Sequence, residues 1–230
     1  VSPDKTLADK AYRKLRAEIL DGHLGAGQKL KLEALAKDCA VGMSPLREAL
    51  ARLQGDHLVV SEGQRGFWVA PLPLDEIDDV SRVRAMLETE ALSASIAKGG
   101  SAWERRVKEA FERLSQFEEG MPSPGTERPA ALLNAWEERN HAFHAALVSG
   151  SGSPCLTRLC EQLYQQSERY RRVSRMVSGG RRNVHEEHVA IFRAALERQT
   201  LKACRLVEDH ILRTAEQIRL AMSLNELPDA

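Results

Sequence analysis

Long apolar runs are missing from this 230-residue chain. No stretch of roughly 18 apolar residues occurs, so no helical membrane span is expected. The opening segment, Val1 to Lys10, is polar and has no signal-peptide core, which points to a cytoplasmic protein. Cysteine is scarce: the four are Cys39, Cys155, Cys160 and Cys204, and none forms a Cys-x-x-Cys pair. Their spacing excludes both a zinc ribbon and a disulfide framework, and fits thiols in a reducing compartment. Net charge is also absent, with 33 Lys and Arg against 33 Asp and Glu. Binding to nucleic acid through bulk positive charge is thereby excluded, and any such contact rests on a local patch. Internal repeats and low-complexity segments are lacking, and strand signals vanish after Pro73.

What remains is a chain with ample core-forming material, 43% hydrophobic, and with 29% charged residues to solvate helix faces. Residues up to Leu72 carry 11 Lys and Arg against 9 Asp and Glu, and the rest carry 22 against 24. The first part is slightly basic and the second slightly acidic.

Leu7 to Leu20 repeats apolar residues at helical spacing, and Asp21 to Gly27 ends that helix with three glycines. Leu32 to Cys39 forms a second, short helical pattern. Ser44-Pro45 reads as an N-cap serine and a first-turn proline opening a third helix to Gly55, with Leu46, Ala49, Leu50 and Leu53 on one face. Leu58 to Glu62 and Phe67 to Ala70 read as strands joined by a Gly63-Gln64-Arg65-Gly66 tip. Three helices and a two-stranded hairpin make a winged helix-turn-helix over residues 7–72, able to push one helix into the major groove. Pro71-Leu72-Pro73 is a stiff linker.

Six helical segments follow: Leu74 to Ala97, Ala102 to Glu119, Ala130 to Val148, Cys155 to Val177, Asn183 to Arg198 and Leu201 to Leu220. In the first, Ile77, Val80, Val83, Leu87, Ala91 and Ala94 share one side. Gly99-Gly100, the proline-rich loop from Gly120 to Pro129, Gly150 to Pro154 and Gly179-Gly180 separate the first five. The expected fold is mainly α, a winged helix-turn-helix followed by an antiparallel six-helix bundle over residues 74–222.

In the third helix Arg47 follows Leu46 and points away from the core face, where a guanidinium can fork onto a guanine or bridge a phosphate. Arg52 falls near the same exposed side. Ser44 can touch a phosphate, and Arg65 with Gly66 can approach the backbone or minor groove from the wing. Residues Ala11 to Pro71 resemble the winged-helix domain of the GntR family of bacterial transcription regulators. Val41-Gly42-Met43-Ser44-Pro45-Leu46-Arg47-Glu48-Ala49-Leu50 is similar to that family's Val-Ser-Arg-Thr-Pro-Val-Arg-Glu-Ala-Leu signature. The resemblance implies that Arg47 reads a guanine, that Ser44 contacts phosphate and that Gly66 is the wing-tip glycine. Met43 and Glu33 stand where members of the family carry arginine, which alters the expected operator sequence but not the module.

The bundle holds a second constellation. Asn140 and His144 lie one helical turn apart on one face, and His188 and His210 lie on later helices. Antiparallel helices can bring three imidazoles together, a donor set suited to zinc, nickel or another divalent transition metal. His141 and His185 are surface-facing alternatives.

Leu74 to Leu220 resembles the FCD ligand-binding domain of the FadR subfamily of GntR regulators. Arg84-Ala85-Met86-Leu87-Glu88 is similar to its Arg-x-x-Leu-Glu helix, and Asn140-His141-Ala142-Phe143-His144 to its Asp-x-x-Phe-His motif. The resemblance implies a divalent metal on Asn140, His144, His188 and His210, with a carboxylate effector at its open positions and Arg84 pairing with that effector. Asn140 replaces an anionic ligand with a neutral amide, so metal affinity falls and attraction for an anion rises. Arg84 could instead form a helix-surface ion pair with Glu88.

The wording Gly42-Met43-Ser44-Pro45-Leu46-Arg47-Glu48-Ala49-Leu50 is similar to the family branch that regulates 4-aminobutyrate and glutarate breakdown in carbon starvation, which implies a short dicarboxylate. The expected protein is a homodimeric, ligand-responsive regulator on double-stranded operator DNA, a repressor of carboxylic-acid catabolism genes. The alternative, a metal-dependent hydrolase or oxidase of a small acid, fits less well. His185-Glu186-Glu187-His188 has its histidines only three apart, not at the zinc-protease step of four, and no general base is evident.

Overall fold

The computed structural model describes residues 6–122, 129–178 and 182–225. It divides into two compact units, residues 1–73 and 74–230.

The first unit begins with α1 (Leu7–Leu20), closed at its start by a reciprocal cap. The Thr6 hydroxyl accepts from the Asp9 N–H at 3.0 Å, and the Asp9 carboxylate accepts from the Thr6 N–H at 3.1 Å. Next come β1 (Lys29–Leu30), α2 (Leu32–Cys39) and α3 (Met43–Gly55). Then β2 (Val59–Ser61) and β3 (Phe67–Val69) flank a 3₁₀ turn at Gly63–Arg65. The sheet order is β1-β3-β2, antiparallel throughout, with Lys29 opposite Trp68 and Val60 opposite Trp68 on the other side. The sheet therefore has three strands where the sequence suggests two. With only two residues, β1 is too short to show alternation.

The expected Ser44 cap does not form. Gly42 is the N-cap residue, in extended conformation with φ −75° and ψ 171°, and its carbonyl accepts from the Leu46 N–H at 3.2 Å. The helix is thus under way at Met43, and Pro45 sits within the first turn, where a missing N–H costs nothing. The α2–α3 turn pivots on Ala40, left-handed at φ 52°. Ala11, Leu15 and Ile19 of α1 meet Leu46, Ala49, Leu50 and Leu53 of α3 in an apolar core that Leu35, Leu58 and Val69 complete. At the wing, Gly66 has φ 117°, a conformation that favours glycine.

The second unit comprises α4 (Leu74–Lys98), α5 (Ser101–Glu119), α6 (Ala130–Val148), α7 (Pro154–Ser178), α8 (Val184–Leu196) and α9 (Thr200–Asn225). The Gly179-Gly180 break and part of the loop before Pro129 lie outside the described residues. Leu92, Ile96, Trp103, Val107, Leu114, Phe143, Leu147, Ile191, Val207 and Ile211 form the apolar core. Trp103 anchors it. Its indole N–H reaches the Ala146 and Leu147 carbonyls, both at 3.1 Å. A Cβ at Gly99 would come within 2.6 Å of the indole, so this tight connection requires glycine.

The buried face of α4 matches the expected one at Ile77, Val80 and Ala91 but is otherwise turned. Val83 is exposed, while Ile77, Ser81, Arg84, Ala85, Glu88, Leu92 and Ile96 face inward. An arginine and a glutamate one turn apart can both be buried because each neutralises the other. This polar stripe positions the site described next.

Candidate functional site

On α3, Ser44 and Arg47 are exposed, whereas Leu46 and Leu50 are completely buried. Arg65 stands out from the wing with its side chain 82% exposed, 3.9 Å from Glu62. Arg52 is engaged within the winged helix itself. Its guanidinium binds Asp9 at 2.7 Å and stacks on the Tyr12 ring at 4.1 Å, while the Tyr12 hydroxyl donates to Asp56 at 2.6 Å. Arg52 thus fastens α3 to α1, and its charge is already matched.

In the helical unit, α6, α8 and α9 each contribute one imidazole to a buried cluster. Candidate ligand atoms of His144, His188 and His210 all lie within 4.8 Å of one another. Their ring centroids are 6.1 Å (His144–His188), 5.3 Å (His144–His210) and 5.0 Å (His188–His210) apart. Each ring is gripped by a carboxylate through Nδ1: His144 by Glu88 at 3.1 Å, His188 by Glu118 at 2.9 Å and His210 by Glu187 at 2.9 Å. A carboxylate on Nδ1 fixes the ring, sets the tautomer and leaves Nε2 as the free donor atom, the arrangement usual behind metal-bound histidines.

The orphaned atoms point the same way. Among the described residues, four buried side-chain polar atoms lack a partner, and three of them are Asn140 Oδ1, His144 Nε2 and His188 Nε2. Leaving such an atom unmet costs about 1–3 kcal/mol. These atoms suit a cation, because two imidazole nitrogens and an amide oxygen can all donate lone pairs. Asn140 is held one turn from His144, and its amide N–H donates to the Tyr164 hydroxyl at 2.7 Å.

Burial keeps two of the imidazoles, His144 and His210, neutral. Burial pushes His144 down to about 4 against the opposing pull of Glu88. Burial likewise takes His210 well below its ordinary value. A neutral imidazole is the form that binds metal. Burial would raise Glu88, but the Arg84 charge and the His144 contact outweigh it and hold the carboxyl at about 2. Glu187 is held at about 2 in the same way, by His210 and Arg182 against the effect of burial.

Arg84 is not on the helix surface. It is buried, with Nε 2.5 Å from Glu88 and NH1 3.0 Å from the Ser167 hydroxyl, and it lies 4.5 Å from the Tyr164 ring centre. Arg171 joins it, donating to the same Ser167 hydroxyl at 2.8 Å and to Glu137 at 3.0 Å, with its guanidinium 4.4 Å from Tyr164. A recess of about 270 Å³, mouth included, is lined by His141 and Glu161, by Thr157 and Cys160, and by His144 and Tyr164. His141 is half-exposed and paired with Glu161 at 2.6 Å, and His185 pairs with Glu118 at 3.1 Å, so neither joins the cluster.

Sequence reasoning missed Glu118, Glu187, Tyr164, Arg171 and Arg182. Glu118, Glu187 and Arg171 read as solvated charges on their helices, Arg182 stands just before α8, Tyr164 belongs to no motif, and only Glu88 had a signal, its spacing from Arg84.

A winged helix-turn-helix joined to an all-helical domain with a buried donor cluster defines a class: DNA-binding regulators that respond to a ligand. Residues 7–69 match the gntR family of bacterial regulatory proteins, and residues 79–213 match the FCD domain. The regulator BphR of Paraburkholderia xenovorans is 38% identical over 215 residues, which is 94% of this chain and 86% of that protein. The transcriptional repressor GlaR of Escherichia coli is 33% identical over 218 residues, covering 93% of this chain and 96% of that one. The solved structure of Escherichia coli McbR/YncC shares the fold, with a TM-score of 0.72 at 18% identity over 94% of this chain and 98% of the other. The chain belongs to the GntR family of bacterial transcription regulators, with an FCD domain as its second part. These relatives are transcription regulators, not enzymes.

Proposed function

We propose that this regulator represses genes of carboxylic-acid catabolism and is switched by a small carboxylate bound at a divalent metal, zinc or nickel, in the helical domain. His144, His188, His210 and Asn140 hold the ion. The observation that carries the reading is the convergence of three unpartnered buried donor atoms with carboxylate-backed imidazoles. The bound ion supplies a fixed positive charge with positions open to an acid's oxygens. The chain's own groups do the rest: Glu88, Glu118 and Glu187 orient the imidazoles, and Tyr164 orients the amide. Arg84 and Arg171 lend positive potential beside the cluster, which favours a short dicarboxylate over a neutral molecule. The recess from His141 and Glu161 down to His144 is the entry path.

At the DNA, Arg47 reads a guanine edge, Ser44 touches phosphate, and Arg65 with Gly66 lies along the backbone at the wing. Arg52 acts from behind by holding α3 against α1. A homodimer places two α3 helices in successive major grooves of a near-palindromic operator. The acid must bind one domain arrangement more tightly than the other to shift DNA affinity. The name of the Escherichia coli relative GlaR, a transcriptional repressor, supports the sign of the effect.

Gel shift on the DNA upstream of the protein's own gene, with zinc-loaded protein and a panel of mono- and dicarboxylates, tests the reading. A shifted band released by one acid, and unresponsive to that acid after chelation, is expected. Binding indifferent to every acid and to chelation contradicts it.

A further inference from the structure

We propose that metal and anion enter this site as a mutually dependent pair, because the fourth donor, Asn140, is a neutral amide locked with its oxygen free. The inference rests on the metal-centre reading above and adds a rule for how the centre fills.

Charge is the first ground. Three imidazoles and an amide contribute no negative charge to a divalent ion, and the site is buried, so the ion keeps its full charge where solvent cannot screen it. The surrounding carboxylates compensate in part. Glu88 is matched by Arg84 at 2.5 Å, and Glu187 is matched by Arg182, whose Nε lies 2.6 Å away. Glu118, held by hydrogen bonds to His188 at 2.9 Å, the Trp136 indole at 2.9 Å and His185 at 3.1 Å, offsets one of a divalent ion's two charges and leaves the other. An ion alone would be left with a charge deficit, and an anion alone would meet no cation beyond arginines already paired.

The second ground is the orientation of the amide. Asn140 spends its N–H on the Tyr164 hydroxyl at 2.7 Å, and its Oδ1 is buried without a partner. Tyr164 is itself confined, with the guanidiniums of Arg84 and Arg171 at 4.5 and 4.4 Å from its ring centre. Those guanidiniums share the Ser167 hydroxyl, at 3.0 and 2.8 Å. Turned over, the amide would take the Tyr164 hydroxyl as its donor and present two N–H donors to a cation, which a bound ion rejects. The cluster thus selects the oxygen as ligand and keeps the ligand set neutral. A carboxylate from solution then supplies the charge that an aspartate would have supplied from within. By linkage, whatever the acid adds to metal affinity the metal adds to acid affinity.

Zinc affinity of the full-length protein, measured by competition with a chromogenic chelator, tests this without any DNA readout. Titrations are run with and without saturating acetate or succinate, corrected for the acid's own zinc binding. In the unaltered protein at least one of the two acids should tighten zinc by about 5- to 150-fold. Asn140→Asp should bind zinc more tightly without acid and lose most of that enhancement. Tyr164→Phe should weaken zinc by roughly 10- to 100-fold, as loss of a ligand-orienting partner does, and keep the enhancement. Zinc affinity equal with and without both acids overturns the pairing while leaving the metal centre standing. Unchanged zinc affinity in Tyr164→Phe overturns the locking of the amide. No zinc uptake under any condition removes the centre and this inference together.

Discussion

The two units of this chain solve the problem of an interior in opposite ways. The winged-helix core is apolar: Leu15, Leu46, Leu50, Leu53 and Val69 bury almost completely. Among the described residues, every buried charged or polar side chain belongs to the helical unit, from Ser81 on α4 to His210 on α9. Burying charge is tolerated where it is paired, as Arg84 is with Glu88 at 2.5 Å and Arg171 with Glu137 at 3.0 Å, so this interior is held by ion pairs as well as by apolar contact. The winged helix keeps its charged side chains outside, Arg47 and Arg65 among them, over an apolar body.

The largest expected effect breaks this contrast from the polar side. Arg171→Met leaves Glu137 buried without its partner and should destabilise the helical unit by about 3–5 kcal/mol in urea unfolding. Arg171→Met combined with Glu137→Leu should recover most of that loss, since an apolar pair of similar volume replaces the ions. A double variant as unstable as the single one would mean that Arg171 is needed for Ser167 and Tyr164 more than for charge balance.

From the apolar side, Leu50→Ala should cost about 2–5 kcal/mol, and the loss should appear in the winged-helix transition. Local hydrogen exchange distinguishes the two units. A loss shared equally between them would show that the cores are coupled and erase the contrast.

Acid should separate the units as well. His144 in the folded state sits at about 4, below its ordinary 6.5, so below the ordinary value the unfolded chain takes up protons that the folded one refuses. Metal-free helical unit therefore loses stability as pH falls from about 6.5 toward 4. Glu88, ordinarily near 4.5 and held at about 2, adds a further loss between those values. The winged-helix core buries no such group among the described residues, so its melting temperature should move less over the same range. Equal acid sensitivity of both units contradicts the assignment.

The smallest effect is at the exposed arginine. Arg47→Ala should leave the melting temperature unchanged and weaken operator binding by about 1–3 kcal/mol per half-site. Unchanged affinity would remove Arg47 from base reading. Arg52→Ala should do the reverse and lower the stability of the winged helix, because its partners are Asp9 and Tyr12.

The same contrast explains what could be read in the sequence. Helices with one apolar face were legible to the residue, α1 at Leu7–Leu20 and α2 at Leu32–Cys39, and so was α6 at Ala130–Val148, which prolines and glycines bound. Local chemistry misled at α3, where Ser44-Pro45 imitates a cap that Gly42 provides. Periodicity misled at α4, where Arg84 and Glu88 occupy the inner face and displace Val83 to the surface. Spacing could place Asn140 and His144 on one face, but no local pattern joins His188 and His210 to them. Of the carboxylates behind the imidazoles only Glu88 left a trace, because a glutamate that will be buried by a distant helix, such as Glu118, looks like any solvated one.

Metal content tests the central claim most directly. Protein purified, stripped with chelator and titrated with zinc should take up a single tight equivalent per chain, and unfolding should then occur at higher temperature by mass action. His188→Ala, which removes a completely buried imidazole of the cluster, should abolish both the uptake and the rise. Uptake and melting shift that survive His188→Ala, or zinc-indifferent unaltered protein, would contradict the account.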